Sequence, residues 1–69
     1  MNELIKKLEE EKEQLTIKIN KLTQFRSCEE NKDKVSKNGW FLLGIQLDIM
    51  KAYAQVLTTR IVDLLPDNQ

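Results

Sequence analysis

WFLLGIQLDIMKAYAQVLTTRIVDLL, residues 40–65, is the stretch that decides the fold. It has no proline, and its one glycine is Gly44, so it suits a single long helix. Leu42, Ile45, Ile49, Ala52 and Val56 fall at three- and four-residue steps and make one apolar stripe. Leu43, Met50, Leu57 and Leu64 make a second stripe beside it. That second stripe also holds Gln46, Tyr53 and Arg60, spaced seven residues apart, close to two helical turns. An amide, a phenol and a guanidinium in such a seam need partners, since burying each unpaired costs about 1–3 kcal/mol. The spacing predicts a helix over 39–65, with Asn38-Gly39 as a turn or cap signal. Pro66 ends it, and 67–69 form a frayed tail.

Residues 2–25 have no glycine or proline and are rich in Glu, Lys and Leu. Leu4, Leu8, Leu15, Leu22 and Phe25 share one face, with Ile5 and Ile19 beside it. Glu11 and Lys12 interrupt that stripe. The pattern predicts an amphipathic helix over 2–26, capped by Asn2. The polar stretch 27–38 is the connection, with a helical turn expected around Glu29 to Lys34. The expected fold is all-α: one domain over 1–69, an antiparallel helical hairpin of two long helices.

A second helix apolar over so wide an arc needs more than one neighbour. A lone hairpin covers one stripe and leaves the other wet, beyond the patch size a monomer tolerates. The expectation is therefore a homo-oligomeric helical bundle, most simply two hairpins in a four-helix bundle. Leu43, Met50, Leu57 and Leu64 are the expected interface between copies.

Composition excludes several functions. The chain has 69 residues, 11 basic and 11 acidic, and a formal charge of zero. Duplex-binding proteins carry a basic excess, so no duplex nucleic acid is expected as a partner. The longest apolar run, Trp40 to Ile45, is far too short to span a bilayer, so no membrane partner is expected. Met1-Asn2-Glu3 lacks the basic start of a secretory signal, and the expected location is cytoplasmic. Cys28 is the only cysteine, and it reads as a plain exposed thiol. With no histidine and one cysteine, a zinc site of the usual ligands is not expected, and no Cys-His pair or Ser-His-Asp triad can be assembled. The expectation is a non-enzyme without a cofactor.

The marked residues each have two readings. Tyr53 is either a core tyrosine whose hydroxyl reaches the solvent edge or a platform for stacking on a base. Arg60 either caps the helix end, with Asp63 as its ion partner, or recognises phosphate. Gln46 is an interhelical pin or reads a base edge. Lys18 and Lys21 are solubilising or border a cleft. Trp40 and Phe41 are expected to cover the end of the hairpin beneath the loop. Gly44 leaves bare backbone for close helix approach or for a flat ligand.

Two strings carry a family resemblance. The first is Glu13-x-Leu15-x-x-Lys18-Ile19-x-Lys21-Leu22-x-x-Phe25. The second is Leu42-Leu43-x-x-Gln46-x-x-x-Met50-x-x-Tyr53-x-x-Val56-Leu57-x-x-Arg60-Ile61. Together they resemble the short helical-hairpin proteins of tailed phages. These in turn resemble the hairpin domain shared by phage anti-CBASS and anti-Thoeris sponge proteins. The resemblance implies an anti-defence protein in the cytoplasm of an infected bacterial host. Such a protein binds a cyclic di- or trinucleotide, or a cyclic ADP-ribose-type signal, and holds it uncleaved at junctions between identical subunits. It further implies Arg60, Lys18 and Lys21 as phosphate donors, Tyr53, Phe25 and Trp40 as base platforms, and Gln46 beside them. The alternative is a small oligomeric protein-binding module that inhibits a host protein through its apolar face.

Overall fold

The structure, a computed structural model, describes residues 2–66. The tail expected at 67–69 lies outside the described residues, as does the Asn2 side chain expected as a cap. Helix α1 spans Asn2–Ser27 and helix α2 spans Lys37–Leu64, with a short 3-10 helix, Glu29–Lys34, between them. The two long helices pack side by side in a rod of 49 × 15 × 14 Å. Cross-helix partners run in opposite directions, Phe25 with Trp40 and Glu11 with Tyr53, so the hairpin is antiparallel.

The boundaries have local causes. Helix α2 starts at Lys37, two residues before the expected 39, because Ser36 caps it. The Ser36 hydroxyl accepts the Gly39 N–H at 2.9 Å. Asn38-Gly39 therefore lies inside the first turn and is not a turn of its own. The helix ends at Leu64, one residue before the expected 65. Leu65 is already extended (φ −73°, ψ 137°), as the residue before Pro66 is pushed to be. The helical turn expected around Glu29 to Lys34 is the 3-10 helix. Asn31 ties it down by donating its side-chain amide to the Phe25 carbonyl at 2.8 Å.

The core is thin. Leu8, Leu47 and Leu57 are buried, and Leu57 has no exposed surface. On α1 the half-buried row runs Ile5, Lys12, Leu15, Ile19, Leu22 and Arg26, at alternating three- and four-residue steps around Leu8, with Phe25 half-buried beside it. Leu4 points outward, so the contact face centres one position further on than expected. On α2 the matching row runs Trp40, Leu43, Leu47, Met50, Ala54, Leu57, Ile61 and Leu64. Such heptad spacing is that of helices lying about 20° apart with interlocking side chains.

The two apolar stripes of α2 thus trade places. Leu43, Met50, Leu57 and Leu64, expected between copies, lie in the hairpin's own seam. Leu42, Ile45, Ile49 and Val56 remain exposed. The reason is continuity. The first row stays apolar to the end of the helix, where Ile5 and Leu8 need cover, whereas the second runs out at Thr59 and Asp63. Among the described residues no helix is long and apolar enough to cross a membrane.

Candidate functional site

Groups able to bind a ligand come together at two places. The first is the outer face near the open end of the hairpin. Gln55, Val56, Thr59, Arg60 and Asp63, all from α2, line an open groove of about 290 Å³. Val56 gives it an apolar floor, and the other four give a guanidinium, a carboxylate, an amide and a hydroxyl. These are groups that bind, with a cation set beside an apolar surface.

Tyr53 lies two turns before Arg60 on the same line. Its hydroxyl donates a hydrogen bond to the Glu11 carboxylate of α1. That bond, partial loss of solvent and the negative charge of Glu11 raise the phenol above its ordinary value of 10.0, while the Arg60 cation works against them. Tyr53 is thus tied to the opposite helix, with its ring partly exposed. Glu11, which sequence reasoning treated only as a break in the α1 stripe, is the residue that fixes it.

The second place is the loop end. The Trp40 and Phe25 rings meet at 6.1 Å between centroids, tilted by 45°. The Arg26 guanidinium stacks on Trp40 at 5.0 Å from the ring centroid. It lies over Gly44, where an added Cβ would come within 2.9 Å of an Arg26 terminal nitrogen. The bare backbone at Gly44 therefore receives a side chain of the same molecule. The Arg26 Nε is shielded from solvent and has no hydrogen-bond partner. Beside this stack a hollow of about 240 Å³ is lined by Lys32, Lys37 and Trp40.

The structure thus brings Tyr53 near Arg60, and Phe25 against Trp40, but does not unite the two pairs. Trp40 and Arg60 are twenty residues apart on one helix, roughly 30 Å. Lys18 and Lys21 are exposed on α1. From the antiparallel pairing they sit near the levels of Leu47 and Gly44, roughly 20 Å or more along the rod from Arg60. Gln46 is exposed, and its Nε2 makes only a long contact of 4.0 Å to the Met50 sulfur.

A family model described as Sequestin matches residues 2–63. The chain belongs to the Sequestin family. No curated protein and no solved structure matches it. The name Sequestin denotes sequestration, which agrees with a groove built of binding groups. The span that marks this chain as a Sequestin includes all seven expected ligand residues and both places described above. It reaches Asp63, the last residue of the Arg60 groove.

Proposed function

We propose that this Sequestin is a phage anti-defence sponge. It binds a cyclic nucleotide immune signal in the host cytoplasm, holds it without cleaving it, and works as a homo-oligomer. Membership of the Sequestin family carries the reading, because the name denotes sequestration. The Arg60 groove supports it with a charge-assisted donor for phosphate next to an apolar floor. Zero net charge is compatible, since one small anion needs only a few local cations.

A second reading is a module that docks on a host protein. The exposed row Leu42, Ile45, Ile49 and Val56 on α2 favours it. One experiment separates the two. The protein is titrated by calorimetry with cyclic di- and trinucleotides and with cyclic ADP-ribose-type signals, and the bound ligand is recovered by chromatography. The sponge reading expects stoichiometric binding and an unchanged ligand. Arg60→Ala should remove a contact worth about 1.5–3 kcal/mol, roughly ten- to hundred-fold in affinity. If no ligand in the panel binds the parent protein, the docking module takes its place. A cleaved ligand refutes the sponge.

A further inference from the structure

The exposed face of α2 reads the same in both directions. Its large apolar residues are Leu42, Ile45, Ile49, Tyr53 and Val56, all uncovered within one chain. Leu42 and Val56 each lie seven residues from Ile49, and Ile45 and Tyr53 each lie four. At 100° per residue all five fall within roughly 40° of one line. Asn38 and Arg60 extend the symmetry, each eleven residues from Ile49, and bound the apolar row with polar groups. A surface symmetric about its own midpoint is what an isologous contact requires, since each residue then meets its mirror position on the other copy.

We propose that two copies pair through α2 in antiparallel fashion, with a twofold axis at Ile49. The inference rests on the homo-oligomer reading above and specifies its geometry. Ile49 meets the partner's Ile49, Leu42 meets the partner's Val56, and Ile45 meets the partner's Tyr53. Charge selects this direction. Lys37 lies twelve residues before Ile49 and Asp63 fourteen after it, so antiparallel pairing brings each lysine within two residues, about 3 Å along the helix, of the level of the partner's aspartate. Parallel pairing sets Lys37 against Lys37 and Asp63 against Asp63.

The pairing also completes the Arg60 groove. Phe41, 64% exposed and the most exposed large hydrophobic residue described, lies on the same flank of α2 as Gln55 and Thr59. It is eight residues before Ile49, so the partner's Phe41 comes level with Leu57, beside Val56 and Thr59. The partner's Lys37 comes level with Ile61, beside Arg60. The partner's Leu42 covers Val56, so the groove narrows to its Gln55, Thr59 and Arg60 side, where it gains an aromatic wall and a second cation from the other copy. The site is incomplete without its partner.

Cysteine cross-linking tests the register without any ligand, so the outcome stands apart from the nucleotide titration. Cys28→Ser removes the native thiol, which is exposed and would give background. In that background Ile49→Cys should oxidise to a disulfide-linked dimer, because the axis sets the two thiols face to face. Leu42→Cys alone and Val56→Cys alone should remain monomeric on a non-reducing gel, whereas their mixture should cross-link. The mixture of Phe41→Cys and Thr59→Cys, on facing flanks about 8–10 Å apart, should be joined by a short bis-maleimide. Circular dichroism confirms that each variant is folded, which is expected since these positions are exposed. Cross-linking of Leu42→Cys alone as readily as Ile49→Cys indicates a parallel pair and overturns the proposal. So does a parent chain that is monomeric by light scattering at micromolar concentration. Cross-linking at Ile49 without any between Phe41→Cys and Thr59→Cys overturns the shared groove.

Discussion

Replacing Leu57 with alanine separates a hairpin that carries its own core from one that is held together only by other copies. Leu57 has no exposed surface in a single chain. The change removes three carbons, at about 0.8 kcal/mol each, so transfer alone costs roughly 2.5 kcal/mol. The cavity left in a stiff helix–helix seam adds to this, within the usual range of about 2–5 kcal/mol for Leu→Ala. A chain of this size has a total stability of roughly 3–10 kcal/mol. Loss of Leu57 should therefore remove a quarter of it at the least. Urea unfolding followed by circular dichroism reads the effect, repeated at low and high protein concentration. The loss should be present at the lowest concentration, because the partner surface belongs to α1 of the same chain. Ile49→Ala gives the contrast. Its side chain is 63% exposed, so an isolated hairpin should change by no more than about 0.5 kcal/mol. A loss under about 1 kcal/mol for Leu57→Ala at low concentration would refute the placement of Leu57 in the hairpin seam.

Ser36→Ala should cost about 0.5–2 kcal/mol by removing the α2 cap, read as a lower melting temperature. Gly44→Ala gains roughly 0.5–1 kcal/mol of helix propensity but displaces the Arg26 guanidinium from Trp40, which costs about the same. Its net effect should be near zero in the parent and stabilising by about 1 kcal/mol in an Arg26→Ala background. Equal gains in both backgrounds would show that Arg26 does not occupy the space over Gly44. For Tyr53, alkaline titration of phenolate absorbance should give a midpoint above 10.0, and Glu11→Ala should bring it back toward that value. Because the phenol is raised on folding, its contribution to stability is fully present below the unfolded value near 10.0. It is lost as the pH climbs through the folded value, and Tyr53→Phe should remove that alkaline dependence.

The two helices and their antiparallel packing were legible because period is a strong signal. Helix-period patterns over 2–25 and over 40–65, the second broken only by Gly44, a polar stretch between them and Pro66 at the end leave few alternatives. The helix start was misplaced by two residues because Asn38-Gly39 looks like a turn, while the capping atom is the Ser36 hydroxyl. Either stripe of α2 has a spacing that fits a partner helix, so the spacing alone does not say which of them α1 covers. The deciding feature is how far each row extends. Leu57, Ile61 and Leu64 continue the buried row to the end that faces Ile5 and Leu8. Thr59 and Asp63 break the other.

The candidate site was legible only along one helix. Tyr53 and Arg60 share a line whatever α1 does, and in the structure the Arg60 charge acts on the Tyr53 phenol, although of the two only Arg60 lines the groove. What was missed lies across the seam. In the sequence Glu11 is only a break in the α1 stripe and Arg26 carries no mark, since nothing in their own neighbourhood says which residue of α2 stands opposite. Antiparallel register supplies that information, placing Glu11 at Tyr53 and Arg26 beside Trp40 and Gly44. The same reasoning explains why Lys18 and Lys21 do not serve Arg60 in this chain. They belong to the loop half of α1, and Arg60 belongs to the open end. The cations of this chain that do lie at that end are Lys6 and Lys7 of α1, and a further one can come from another copy. The twofold at Ile49 draws it from the start of the partner's α2, where Lys37 stands, and not from its α1.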